Sequence, residues 1–374
     1  MEVFYRGLII VYPYGTLIAK KEKIIIVKTK NMPSIINKPL LLIENKLGLG
    51  EIQLGSPNKI NLKQFSDLHS KHKITELDRK KWWPNYKILF SYPITQIKIY
   101  RKPILLEYST GPQITVTPTN IIVKKIFVGM SGYYYKRMYP AHTRNLLNYY
   151  SNILNSVEIN STFYRFPSNS LINNLSNYDL VYSIKVNQLI THRKRVIHID
   201  KVWSEFYQAF HPIHHKINCF LFQFSSKFLF SDENFNRIKH LSTLLNPKHT
   251  FAFEFRDKNW FDSEKVIKLF LKHRLVIVIL HIAGNWAGNL NPGFNPKLKY
   301  WPKTSDSAYF RLHGTTGQYT GSYHAEQLTK IYDFIKSKSL LSSYIYFNNT
   351  DESNFALDNA ESMTKKFNLI NISN

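Results

Sequence analysis

A single cysteine, Cys219, stands among 374 residues, so no disulfide forms within the chain and the paired-cysteine spacings of zinc sites are absent. Acidic residues are scarce as well: 25 Asp+Glu face 50 Lys+Arg, for a formal charge of +25 and a pI near 9.8. Long apolar runs are missing too. Runs such as 24–27 and 276–280 fall far short of the roughly 18–20 residues that a membrane span requires, which excludes a membrane partner. The opening Met1-Glu2-Val3-Phe4-Tyr5-Arg6 lacks the basic, apolar and small-residue order of a secretory signal, and with the lone cysteine this predicts an intracellular chain, cytoplasmic or nuclear. A glycine-rich phosphate loop is also lacking. Gly129-Met130-Ser131-Gly132 is too short for a dinucleotide fingerprint, has no Lys-Ser/Thr, and does not form a nucleophile elbow, so no cofactor is expected. His69 and His72, and His211, His214 and His215, have no acidic partner at ligand spacing, so no metal is expected either.

What is present is apolar material for packed cores, 44% hydrophobic and 15% aromatic at a mean hydropathy of -0.28, which rules out wholesale disorder. The length suggests two or three domains. The positive charge is concentrated at the start: residues 1–125 hold 21 Lys+Arg against 8 Asp+Glu. Clustered cations replace condensed counterions along phosphates, so the charge points to a nucleic-acid partner, RNA or DNA. A plainer reading is compositional bias toward Lys, Asn and Ile. In this first third, short apolar stretches at 23–28, 40–44, 49–54, 88–91, 96–100 and 114–117 are punctuated by Gly and Pro and interrupted by one helical stretch over 62–81. That pattern predicts a small β-barrel with a helical insertion. Lys71, Lys73, Arg79, Lys80 and Lys81 beside Trp82 and Trp83 mix cations with stackable rings, as single-stranded nucleic acid favours; the alternative is that both tryptophans are core.

From Ile126 the rhythm changes to strand then amphipathic helix. Strands are expected at 126–129, 156–160, 180–186, 218–225, 250–256, 275–281, 308–313 and 344–348, with helices at 145–154, 168–175, 201–211, 232–245, 263–273, 325–338 and 354–366. Eight strands alternating with helices over about 250 residues predict an α/β chain with a (β/α)8 TIM-type barrel, ahead of an open doubly wound sheet. Active sites of such barrels sit at the carboxyl ends of the strands, and there the side chains are consistently polar. Because side chains alternate along a strand, Glu158 pairs in facing with Asn160, Ser183 with Lys185, Gln223 with Ser225, Glu254 with Arg256, Arg311 with His313, and Tyr346 with Asn348; His281 ends the sixth strand. Singly, Glu254 and Arg256 could merely pair, Lys185 could snorkel, and His192, His281 and His313 could be satisfied core histidines. Together they would be a costly way to cap a barrel for stability alone. The stretch 284–302, rich in Gly, Pro and Trp, reads as a long loop over that end.

The runs 129–133, 157–167, 183–185 with Ile190-Thr191-His192, 253–256 with Trp260-Phe261, 309–314 and 346–349 closely resemble the YecE-like family, also called domain of unknown function 72, over about 126–366. The resemblance implies a TIM-type barrel and carries over Glu158, Asn160, Tyr164, Lys185, His192, Glu254, Arg256, Arg311, His313 and Asn348 as site candidates; it names no reaction. The first third is similar to a PUA/ASCH-type domain through 50–57, the helical 65–81 and Lys81-Trp82-Trp83-Pro84, which implies an RNA-binding or modified-base-binding module. The expected organisation is therefore a PUA/ASCH-like β-barrel over 1–118, a linker over 119–125 and a YecE-like barrel over 126–374.

The functional expectation is a nucleic-acid-directed enzyme that hydrolyses or transfers a glycosidic or phosphodiester bond. Glu158, Glu254, His313 and Lys185 would be its catalytic groups; Asn160, Tyr164, His192, Arg256, Arg311 and Asn348 would bind substrate. Two alternatives stay open: a non-catalytic protein that binds nucleic acid or a modified nucleotide, and an enzyme for a small anionic sugar or metabolite.

Overall fold

A computed structural model of the chain describes residues 6–108, 115–116, 122–282, 301–338, 340–351 and 353–367. It divides into two compact units that meet in sequence between Lys125 and Ile126. Strands of the first unit are β1 (Arg6–Ile9), β2 (Ile25–Lys28), β3 (Leu40–Glu44), β4 (Leu47–Leu54), β5 (Asn58–Asn61), β6 (Ile88–Glu107), β7 (Thr115–Val116) and the opening residues of β8 (Ile122–Met130). Residues 122–125, expected within a linker, are thus already strand.

The long β6 pairs antiparallel with β2, β4, β5 and the start of β8. β3 and β4 form a hairpin across Asn45 and Lys46, whose positive φ values of 49° and 62° suit the right-handed twist of the flanking strands. The apolar faces close on Leu8, Ile18, Leu40, Leu42, Leu54, Leu89 and Tyr92. A buried Glu44 is satisfied by the Gly15 and Thr16 amides at 2.6 and 3.1 Å, which ties β3 to the helix Tyr14–Ala19.

The single helix expected over 62–81 is three short ones, Leu62–Asp67, His69–His72 and Glu76–Trp82. Lys73 takes a left-handed φ of 59° and ends the second, and the Thr75 hydroxyl caps the third by accepting from the Asp78 amide at 3.1 Å.

The second unit is mixed α/β and built on parallel strands. β9 (Ser156–Ile159), β10 (Val181–Lys185), β11 (Ile217–Gln223), β12 (Thr250–Glu254) and β13 (Val276–Ile277) form one parallel ladder. β14 (Ile279–His281), β15 (Ser307–Leu312) and β16 (Ser342–Phe347) form another, with β8 beside β16. The stretch expected as one strand over 275–281 is two strands, because the Val278 amide still donates to Phe253 while the following residues pair with β15. A parallel bridge joins Ser131, just past β8, to Glu158 of β9.

Among the described residues, seven helices of eight or more residues fall between or after these strands: Leu146–Ile153, Asn169–Ser176, Asp200–Gln208, Asp232–Leu244, Glu264–His273, Ala325–Ser337 and Phe355–Lys366. Their buried residues recur at helical spacing, as with Val266, Leu269 and Phe270. Strand alternation divides the side chains. Phe220, Phe222 and Phe224 stack on Phe251, Phe253 and Phe255, leaving Cys219, Thr250, Ala252 and Glu254 on the opposite face.

β8 approaches β9 so closely at Gly129 that a Cβ would lie 1.9 Å from the Ser156 carbonyl oxygen and 2.7 Å from the Tyr150 hydroxyl. Gly129→Ala is therefore expected to cost about 3 kcal/mol, through forced separation of the two strands. Urea titration followed by tryptophan fluorescence checks this; an unchanged midpoint would contradict it.

Candidate functional site

Residues on the second face of the strands converge near their carboxyl ends. Arg311 on β15 is fully buried and binds two carboxylates with one guanidinium. Its Nε and Nη2 donate to the two oxygens of Glu158 at 3.0 and 2.8 Å, and its Nη1 donates to Glu254 at 2.6 Å. Glu158 also accepts from the Ser131 hydroxyl at 2.8 Å and the Tyr309 hydroxyl at 2.7 Å, so both of its oxygens are occupied. Glu254 has a second cation: Arg256 Nε and Nη2 both donate to its Oε1, at 2.9 and 2.6 Å. Burial would raise the Glu254 carboxyl, but Arg311 and Arg256 overcome that penalty and hold it well below the usual carboxylate range. A floor of hydroxyls supports the network, with Tyr346 Oη 2.6 Å from Ser156 Oγ and 2.8 Å from Ser183 Oγ.

Lys185 ends β10 partly open to solvent. Among the described residues its amine makes no hydrogen bond or ion pair; it lies over the Phe163 ring, 4.2 Å from the centroid. Burial, then the Arg311 charge, lowers its pKa to about 8, against weaker opposition from Glu158 and Glu254. His192 packs edge-on against the same Phe163 ring at 5.0 Å, its Nδ1 2.9 Å from the Thr191 hydroxyl. Burial and Lys185 lower its pKa, so it is neutral at pH 7. His313 is fully buried, and burial and Arg311 hold it well below the ordinary histidine value.

Of the expected site residues, Glu158, Glu254, Arg256, Arg311, Lys185, His192 and His313 act on one another here through contacts or charge. Asn160 starts the short helix Ser161–Tyr164; its Oδ1 is shielded from solvent and has no partner among the described residues. Asn348 anchors the end of β16 through its amide to Leu312, and Tyr164 is 70% exposed. Glu254, held well below the usual carboxylate range by Arg311 and Arg256, stands as an anion at neutral pH and is suited there to accept a proton or balance charge. The most readily titrated groups at this end are Lys185 and His192.

Ser131, Tyr309 and Phe163 were missed as participants. The period of two from Arg311 marks Tyr309, and the polar residue after Gly129-Met130 marks Ser131; Phe163 had no signal beyond its place after the second strand. The expected loop over 284–302 lies outside the described residues except for its last two. A cavity of about 810 Å³ opens at the opposite ends of the strands, beside Thr250, Leu275 and Ser307, away from this cluster.

In the first unit, Lys71, Lys80 and Lys81 are exposed and Lys73 is partly so. Arg79 is not available to phosphate: it is buried and bound through Nε and Nη2 to Glu76, at 2.7 and 2.5 Å. Trp82 and Trp83 pack against the core and also line a cavity of about 180 Å³ with Tyr14, Lys23 and Lys28. Burial lowers the pKa of Lys23 to about 7 and of Lys28 to about 8.

These buried lysines have a measurable consequence. Below the folded-state pKa both folded and unfolded forms carry the proton and the burial cost is full. As pH rises through 7–8 the folded form sheds its proton while the unfolded chain, near 10.5, keeps it, so stability increases. Between pH 7 and about 9.5, Lys23 in the first unit should add about 3 kcal/mol, and Lys28 in the first unit and Lys185 in the second about 2 kcal/mol each. Calorimetric melting should therefore move upward by several degrees across this window; a flat or falling melting temperature would contradict the burial of charged amines.

No helix among the described residues is long and apolar enough to cross a membrane. No curated protein matches the chain. Among solved structures, a DUF72 family protein from Thermotoga maritima is 25% identical with a TM-score of 0.54, covering 65% of this chain and 98% of its own. One from Enterococcus faecalis is 18% identical with a TM-score of 0.56, covering 65% and 96%. An ASCH protein from Zymomonas mobilis matches the N-terminal part at 10% identity and a TM-score of 0.27, covering 30% and 85%. The family model "Protein of unknown function DUF72" matches residues 127–372, and the chain belongs to that family.

Proposed function

We propose that this chain is an enzyme acting on a phosphate-bearing sugar unit of nucleic acid, with the parallel strands of its second unit closed into a (β/α)8 barrel and the reaction at their carboxyl ends. Closure is supported by the Ser131–Glu158 bridge between β8 and β9, by the direct succession of β13 and β14, and by Tyr346, whose hydroxyl reaches β9 and β10 from β16.

The observation that carries the function is the charge balance at the strand ends. Three cations, Arg311, Arg256 and Lys185, stand with two carboxylates, and among the described residues Lys185 and Arg256 Nη1 retain unused donors. An anion seated there completes the set. Guanidinium and ammonium groups in a partly desolvated cleft suit phosphate oxygens. The excess of 21 Lys+Arg over 8 Asp+Glu in residues 1–125 supports a polymeric anion as the source.

The test is binding of the full chain to labelled single- and double-stranded RNA and DNA across a salt series. Affinity should fall with a logarithmic slope of about -4 or steeper, as expected when several phosphates are neutralised. Binding that is absent or insensitive to salt would refute the polymer and turn the reading to a free anionic sugar. The enclosure of Arg79, and the packing of Trp82 and Trp83 on the core, are the observations that favour this second reading.

A further inference from the structure

We propose that Lys185 is a covalent nucleophile whose amine condenses with the open-chain carbonyl of an anionic pentose to form an imine. The proposal rests on the anion-binding reading above and adds the bond that is made. Its geometric basis is the isolation of the amine. A lysine placed only to balance charge would be expected to contact a carboxylate, yet Glu158 and Glu254 give their lone pairs to Arg311, Arg256, Ser131 and Tyr309, while Lys185 faces an aromatic ring at the strand ends. That placement leaves the nitrogen lone pair available once the proton is lost. At pH 7 a pKa of about 8 rather than 10.5 gives roughly 300-fold more free amine than an ordinary lysine has. Neutral His192 against the same Phe163 ring is placed to carry protons. Asn160 Oδ1, an acceptor with no partner among the described residues two positions beyond Glu158, offers a sugar hydroxyl a site.

The step balances without an oxidant or reductant. The Nζ lone pair forms a bond to the carbonyl carbon, and the carbonyl electron pair moves to oxygen and takes a proton. The free amine gives up its two protons, one in each step, and the carbinolamine oxygen takes up both and departs as water, leaving a C=N bond to Lys185. Arg256, through its unused Nη1, holds the phosphate and does not enter the covalent change.

The experiment uses the full-length chain with ribose 5-phosphate and sodium cyanoborohydride, followed by intact mass and peptide mapping. Ribitol 5-phosphate, which has no carbonyl, is titrated by calorimetry in parallel. One reduced pentose phosphate per chain on Lys185, its formation suppressed by ribitol 5-phosphate, is the expected result. Lys185→Arg, which keeps the charge and should keep the fold by circular dichroism, should lower labelling at this peptide by about tenfold or more, because a guanidinium does not condense with an aldehyde under these conditions. Ribitol 5-phosphate binding without a Lys185 adduct would overturn the imine and leave the anion site standing. Failure of both sugars to bind would overturn both. Labelling spread over surface lysines at similar levels would also overturn the imine.

Discussion

Arg311→Met should destabilise the second unit by about 5 kcal/mol and lower its melting temperature by roughly 15 °C, the largest effect expected of any single side chain in the site. The reason is the accounting of buried charge. Arg311 is the only cation touching Glu158 among the described residues, and it shares Glu254 with Arg256. Removing it strands a carboxylate that is 0% exposed and unbalances a second that is 1% exposed. Desolvated anions of this kind cost several kcal/mol each when their partner is lost, far more than the pair contributes against an apolar replacement. Glu158→Gln added to Arg311→Met should accordingly recover part of the loss, because the amide is neutral and its one carbonyl oxygen can still accept from Ser131 or Tyr309. Thermal melts of the single and double variants give the comparison. Simple additivity of the two substitutions would contradict a charge-coupled network.

Arg256→Met should leave the fold nearly intact and instead weaken phosphate-ester binding about 30-fold, corresponding to about 2 kcal/mol for a charge-assisted hydrogen bond. Arg256 differs from Arg311 in how its donors are used. Two of its nitrogens go to one oxygen of Glu254, which keeps Arg311 as partner after the substitution, and its side chain is 14% exposed. Titration of ribose 5-phosphate into wild type and variant separates the two arginines. A large drop in melting temperature with unchanged affinity would show Arg256 to be structural and would remove it from the binding site.

Much of this site could be read before folding. Alternation along strands put Glu158, Lys185, Glu254 and Arg311 on corresponding faces at the carboxyl ends of four apolar runs, and six motifs pointed to the family to which the chain belongs. The contacts among them could not be read, since Arg311 meets Glu158 across 153 positions and Glu254 across 57, and a period of two specifies a face without specifying which strands lie opposite. That is why two glutamates expected to share proton transfer are instead the two anions of a single guanidinium. The helical stretch over 62–81 illustrates a local limit. Its apolar and basic spacing suits one helix, but the left-handed Lys73 and the Thr75 cap break it and rotate Arg79 inward onto Glu76. Composition cannot distinguish a basic residue on the surface from one neutralised by its own helix.

The most direct measurement is single-turnover incubation of end-labelled RNA and DNA oligonucleotides with wild-type chain and with Lys185→Arg, resolved on a denaturing gel. Strand cleavage or base release by wild type, lost in the variant while oligonucleotide affinity falls only slightly, is the result expected if the strand ends are an active site fed by a basic chain. Equal cleavage by both proteins, or tight binding with every bond left intact, would contradict it.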